Sequence, residues 1–265
     1  MSVMAKRKTG APTLIEEDRR HILSPGSDFY VREAYKTLRT NTMFALAAED
    51  GCKTVMITSS LQGEGKSLTT LNLAISFAEA ERRVLLIDCD LRRPKQARLL
   101  ERCSGAGLSN VLFDPRLLPA AIVSGVRENL DVIFSGDIPP NPSELLGSRR
   151  FAALLEKLRE SYDYILLDTP PVNIVTDAVV LAPRCDGVIV VVRANRTDRG
   201  ALTHALEQLE YAQAKLLGVV LDDVAAASGG YGYGKYRYKS YGSYAGRHAD
   251  GYGYGYGAAG PDGEP

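Results

Sequence analysis

The 265 residues include no tryptophan, only four cysteines and three histidines, and no excess of either charge, with 32 basic against 32 acidic side chains. Each scarcity removes a class of function. A balanced chain has no global field to draw it to nucleic acid or to an anionic membrane, so nucleic acid is not an expected partner and any charge-based partner must be met locally. Cys52, Cys89, Cys103 and Cys185 form no CxxC pair and lie beside no histidine cluster. That fits reduced, structural thiols in the cytosol better than a metal or redox centre. His21, His204 and His248 show neither triad nor ligand spacing. Long apolar runs are also missing: "GVIVVV", 187–192, is far short of the roughly 20 residues that cross a bilayer. The basic start, 1–10, leads into no continuous apolar stretch, so neither a signal peptide nor a membrane anchor is expected.

Among what is there, 45% apolar content over this length is enough for one sizeable core. Short apolar runs at 53–59, 83–88, 130–136, 162–168, 186–194 and 215–223 read as strands buried on both faces. Amphipathic stretches at 67–80, 148–161 and 197–213 fall between them. Strands alternating with helices predict an α/β, doubly wound three-layer fold on a mostly parallel sheet. A further helix over 27–48 precedes the first strand. It sets Val31, Tyr35, Leu38, Thr42 and Ala45 along one stripe, and Glu33, Lys36 and Arg39 in a charged surface row.

After 224 the composition shifts to glycine and tyrosine, with too little aliphatic surface to offset the entropy of ordering. The organisation expected is a flexible segment 1–26, a domain 27–224 and a disordered tail 225–265. Nine of the 14 tyrosines lie in that tail: Tyr231, Tyr233, Tyr236, Tyr238, Tyr241, Tyr244, Tyr252, Tyr254 and Tyr256.

The stretch "SSLQGEGKSLTT", 59–70, lies where the first apolar run gives way to a helical one. In a P-loop, backbone N–H groups at a helix start wrap phosphates, a lysine meets the outer phosphates and a Ser/Thr hydroxyl ligates magnesium. Gly63, Gly65, Lys66 and Ser67 fill those places, while Ser60 stands where the general pattern has its first glycine. A glycine-rich turn without function is the competing reading, and the strand-to-helix setting argues against it. Asp88 and Asp168 each close an apolar run, so parallel strands bring them to the same sheet edge as the loop. An isolated Asp there is usually a cap or turn former; two beside a P-loop read as magnesium-site residues. Asp90, two residues beyond Asp88, adds a carboxylate able to take a proton from an incoming hydroxyl, and Arg92 and Arg93 follow in "DCDLRRP", which otherwise reads as a self-neutralising turn.

These residues resemble the bacterial tyrosine kinases of capsule and exopolysaccharide export, the BY-kinases, of the type without transmembrane segments of its own. The resemblance rests on "SSLQGEGKS", "LLIDCDLRRP" and "YILLDTPPV" in that order, with "PPNPSELLGS", "DGVIVVVRANRT", "EAYKTLRTN" and the tyrosine-rich end, and covers about 24–256. It implies transfer of the γ-phosphoryl group of ATP to tyrosines, chiefly those of a neighbouring copy's tail. ATP would be held by Gly63, Glu64, Gly65, Lys66, Ser67 and Leu68, with Arg193 and Asp222. Magnesium would be held by Ser67, Asp88 and Asp168, and Asp88 assisted by Asp90 would be the base. It further implies a ring-like homo-oligomer built through Glu33, Lys36 and Arg39, a membrane-embedded polysaccharide co-polymerase-type activator that recruits a cytoplasmic chain to the inner face of the plasma membrane, protein tyrosine substrates and a cognate tyrosine phosphatase. The segment 1–26 is the candidate docking segment.

Three positions depart from the family pattern: Gln62 replaces a proline, Lys36 an arginine whose forked contact lysine lacks, and Asp222 an asparagine. The related MinD and ParA positioning ATPases carry a signature lysine where this chain has Leu61. A partner-regulated ATPase of that kind and a catalytically idle binding module are the alternative readings. The tail, about 25 Å in span out to Tyr244 as a flexible chain, can reach a neighbour's crevice. Lys235, Arg237 and Lys239 are expected to favour its approach to bound phosphate, and a fully phosphorylated tail is expected to be repelled by an acidic crevice and to break up the oligomer.

Overall fold

The structure is a computed structural model that describes residues 13–48 and 50–224. Six parallel strands make up most of one sheet: β1 (Lys53–Ser59), β2 (Val84–Asp88), β4 (Leu130–Ile133), β5 (Tyr164–Asp168), β6 (Gly187–Arg193) and β7 (Leu216–Asp222). β3 (Ile122–Arg127) runs antiparallel beside β4 at one edge, and the order across the sheet is β3-β4-β2-β5-β1-β6-β7. Its longer helices are α2 (Phe29–Ala45), α3 (Lys66–Ala78), α8 (Arg149–Arg159) and α10 (Arg199–Tyr211). Shorter helices fill the connections: α1 (Leu14–Arg20), α4 (Gln96–Leu100), α5 (Leu108–Phe113), α6 (Leu118–Ala121), α7 (Pro142–Gly147) and α9 (Asp177–Leu181).

The doubly wound three-layer expectation holds, because β1, β2, β5 and β6 are apolar on both faces and each face needs a cover. One face packs against α2 and α3 through Val55, Ile57, Leu86, Leu166 and Phe77, the last stacked on Tyr164 at 4.0 Å between ring centres. The opposite face packs against α8 and α10 through Met56, Leu85, Ile165, Leu167 and Val190. β7 closes the second edge and stays half-open, with Val219 and Leu221 about half exposed.

Two expectations change. The segment 1–26 is not flexible throughout: among its described residues α1 is a formed helix, capped at Thr13, whose Arg19 donates from Nε to the Arg98 carbonyl at 2.8 Å and pairs with Glu101. Leu23 beyond it is buried, and its N–H donates to Asn72 Oδ1 at 2.8 Å. The globular unit therefore takes in residues ahead of 27, held by polar contacts that no hydrophobic period records. On α2 the packed stripe is Tyr35, Leu38, Thr42 and Met43, whereas Val31 is exposed. The tail, with its nine tyrosines, lies outside the described residues.

Candidate functional site

β1 delivers the chain at its carboxyl end into the loop 60–65, and α3 opens on Lys66. The loop needs its glycines for shape. Gly63 and Gly65 sit at φ of +79° and +86°, and a Cβ at 65 would stand 2.3 Å from Asp222 Oδ2. Parallel register then supplies the acids: Asp88 on β2 faces Asp168 on β5 directly, and Ile57 on β1 is level with Asp168 on the other side.

Lys66 reaches from α3 into this group. Its Nζ donates to Asp90 Oδ2 at 2.9 Å and to Asp168 Oδ1 at 3.3 Å, with Ser67 Oγ also at 3.3 Å. Burial opposes its charge, but Asp168 and Asp90 outweigh burial and hold the ammonium above its ordinary pKa. Asp88 is wholly buried and accepts from the N–H groups of Asp90 and Gln96 at 3.2 and 3.1 Å. That burial, and next the neighbouring Asp168, push its carboxyl well above the usual range. Three nearly buried carboxyl groups share one lysine, and a bound cation would favour their charged forms.

Lys66, Ser67, Asp88, Asp90 and Asp168 are thus brought together, as their positions at strand ends require. Asp90 lines the open cleft while Asp88 sits behind it. Gly63 and Gly65 form the cradle, and Leu68 lies half-buried in the first turn of α3. Glu64 belongs to the loop and lines the cleft, but its carboxylate accepts from Ser60 Oγ, the Leu61 N–H and Thr197 Oγ1, and so braces the loop against the start of α10. Asp222 abuts Gly65, and burial raises its carboxyl pKa. Arg193 is held by Asp223 at 2.8 Å and donates to the Gly63 carbonyl at 3.3 Å.

Glu33, Lys36 and Arg39 do not form one outward row. Lys36 Nζ bonds Glu33 at 2.7 Å on the surface, but Arg39 turns inward and donates to the Ser76 carbonyl of α3 at 2.5 Å. The periodicity gave the face; the length of the arginine stem lets it double back onto the neighbouring helix.

Gln96 is a site residue that sequence reasoning missed. Fully buried, it donates through Nε2 to Asp168 Oδ2 at 2.8 Å and to the Ser67 carbonyl at 3.0 Å, while its Oε1 has no partner. One amide therefore ties the second acid to the first turn of α3. No motif marks it, because its role arises only when α4 is laid over the strand ends. Arg92 is claimed by Asp177 at 2.9 and 3.0 Å, and Arg93 donates to Gln62 Oε1 at 3.1 Å.

Beside Lys66 opens a cleft of about 500 Å³ lined by Gln62, the glycine loop, Asp90, Arg92, Arg93, Lys95, Pro170, Pro171, Ile174, Val175 and Arg196. Five cations against two carboxylates make its lining basic, so the acidic crevice expected to repel a phosphorylated tail is not what the structure presents. The acids are tucked beneath; the arginines and lysines rim it. Among the described residues no three His, Cys, Asp or Glu side chains stand as a self-sufficient metal cage. Magnesium takes one or two protein ligands and completes its shell with phosphate oxygens and water. The Ser67 hydroxyl, the paired Asp88 and Asp168 and the orphaned Gln96 Oε1 fit such a partly built site.

A family model described as an AAA domain matches residues 52–218. The chain is 40% identical over 190 residues to the tyrosine-protein kinase YwqD of Bacillus subtilis, spanning 72% of this chain and 80% of that one. It is 36% identical over 219 residues to the putative tyrosine-protein kinase CapB of Staphylococcus aureus, spanning 83% and 92%. Among solved structures, the chimerical protein CapA2B2 superposes with a TM-score of 0.70 at 38% identity over 75% of this chain and 86% of that one. The kinase domain of the Escherichia coli tyrosine kinase ETK gives 0.70 at 34% over 77% and 80%. Cyanothece McdA in complex with ATP, at 24% identity and a TM-score of 0.57, shares the fold alone. The fold is that of ATP-binding P-loop proteins.

Proposed function

Since the chain belongs to the bacterial tyrosine-protein kinases, we propose that its phosphoryl acceptors are the tyrosines of its own tail, reached chiefly between subunits. The observation that carries this reading is the buried Lys66–Asp90–Asp168 cluster at the floor of an open cleft whose far wall is apolar. A phenol fits the wall made by Pro171, Ile174 and Val175, with its hydroxyl towards Asp90. There Oη forms a bond to the γ-phosphorus, the bond from that phosphorus to the bridging β-oxygen breaks, the phenolic proton passes to Asp90, and ADP leaves.

Lys66 turns from Asp90 to the incoming phosphates, which frees that carboxylate for the proton. The loop N–H groups between Gly63 and Ser67 bind the phosphates from the helix start. Ser67, Asp88 and Asp168 are the residues that would hold magnesium, and Gln96 orients Asp168. Bound magnesium supplies neutralisation of the charge on the phosphate oxygens. This departs from the expectation that Asp88 is the base with Asp90 assisting: Asp88 is wholly buried and Asp90 lines the cleft, so on this reading Asp88 serves the cation and Asp90 the acceptor. Arg193 and Asp222 flank the loop on the nucleotide side.

The same reading assigns the chain to control of capsule or exopolysaccharide synthesis. No helix among the described residues is long and apolar enough to cross a membrane; contact with the membrane through an adaptor of the co-polymerase type is part of the proposal. A ring-like homo-oligomer through α2 and reversal by a tyrosine phosphatase complete the proposal.

The test is incorporation of labelled phosphate from magnesium ATP, with an activating partner's cytoplasmic segment present. Wild type is expected to label on tyrosine, whereas Lys66→Met and Asp90→Asn lose label by at least about a hundredfold. Mixing a Lys66→Met full-length copy with an active copy lacking the tail should place label on the inactive chain. No phosphotyrosine under any condition would refute the proposal.

A further inference from the structure

Charge at the mouth of the cleft is not internally balanced. Lys66 is held by Asp90 and Asp168, and Arg92 by Asp177. Arg93, Lys95 and Arg196 form no ion pair among the described residues, and Arg93 meets only the neutral amide of Gln62. Arg196 lies over the loop, 3.7 Å from where a Cβ at Gly63 would stand. These cations come from two separate loops, after β2 and after β6, and converge on one opening. Unpaired like charges so placed repel one another and are stabilised when an anion enters. Across the same opening Ile174 leaves half its surface exposed, a seat for an aromatic ring.

On the kinase reading, we propose that Lys95 and Arg196 form a subsite for an anionic group two residues from the accepting tyrosine, so that transfer along one tail is ordered. In an extended peptide two residues span about 7 Å. The tail sequence supplies two contrasting clusters. Between Tyr231 and Tyr244 there are Lys235, Arg237 and Lys239 but no acid. The distal cluster has Asp250 two residues before Tyr252, then Tyr254 and Tyr256 at the same spacing. Tyr252 therefore accepts first, with the Asp250 carboxylate in the subsite. Its new phosphate occupies the subsite as Tyr254 enters, and the phosphate on Tyr254 does so for Tyr256. Each cycle joins Oη to the γ-phosphorus, releases ADP and leaves the phenolic proton on Asp90, so the product of one transfer is the recognition element for the next. The basic cluster, repelled by the same rim, follows more slowly, contrary to the expectation that its lysines favour approach.

Binding tests the subsite without requiring turnover. Fluorescent peptides spanning 248–258, unmodified, phosphorylated at Tyr252, or carrying Asp250→Asn, are titrated with the full-length protein and ADP. The phosphorylated peptide is expected to bind about tenfold tighter than the unmodified one, the advantage shrinking as salt rises. With ADP held saturating for each variant, Lys95→Gln with Arg196→Gln should abolish it, and Lys95→Glu should reverse it, with thermal melting unchanged. Site-resolved mass spectrometry of the full chain in magnesium ATP should then show Tyr252 first, Tyr254 and Tyr256 next, and the 231–244 tyrosines last. Equal binding of the peptides, a preference that survives charge removal at saturating ADP, or early labelling of the basic cluster would each overturn the proposal. Absence of any phosphotyrosine alongside an intact binding preference would sink the kinase reading and leave the subsite standing.

Discussion

A single methyl group at position 65 meets two obstacles of different kinds, and they can be separated. The left-handed backbone there costs an alanine about 1–2 kcal/mol, and the Asp222 carboxylate occupies the space its Cβ would take. Gly65→Ala should weaken ADP binding strongly, and adding Asp222→Ala should restore only part of it, measured by calorimetry, because the second change clears the room but not the torsion. Gln96 is the complementary case. Gln96→Leu removes the donor shared by Asp168 and the Ser67 carbonyl, with an expected loss of about 1–3 kcal/mol. It should also shift the magnesium dependence of ADP binding to higher concentration, whereas Gln96→Asn, too short to span both acceptors, should fall between. The two residues also differ in how far the chain announces them. Gly65, Lys66 and Ser67 were legible because phosphate chemistry dictates their spacing. Gln96 was not, because seven residues of irregular chain separate it from Asp88 and only the packing of α4 gives it a purpose.

At the scale of elements, legibility followed burial. β1, β2, β5 and β6 are apolar without interruption since both of their faces are covered, and the strands lie where those runs fall. β3 escaped because "IVSGVR" is a half-exposed antiparallel edge with a register shift, and its glycine and serine break the alternation. The helices of four to seven residues escaped because fewer than two turns cannot display a period. α2 shows what a pattern leaves out: its charged row was readable, but the inward turn of Arg39 onto Ser76 was not. A charged donor to a buried carbonyl, here partly screened, is worth about 1.5 kcal/mol. Arg39→Ala should therefore lower the urea midpoint even at dilutions where the protein is monomeric. A midpoint that falls only at concentrations favouring assembly would instead make the residue purely an interface group.

For the whole molecule, the scattered cysteines prove to be distributed by depth. Cys89 and Cys185 are pushed up by burial, Cys185 to about 12, and burial takes Cys52 to about 11. A raised thiol pKa leaves little thiolate at neutral pH, and more appears only as pH climbs towards the raised value. At pH 8 in the native state Cys103, exposed on the surface, should alkylate rapidly, and the other three only on unfolding, as read by intact mass. The grip of Arg39 on Ser76 has a consequence at this scale as well. Arg39, which the proposed ring would engage on α2, already clasps the tail end of α3, and the head of that rod is Lys66 and Ser67. In the proposed ring, joining would unfasten one end of a shaft whose other end is the proposed phosphate grip, so recruitment of a neighbour and tension on that grip would become a single event.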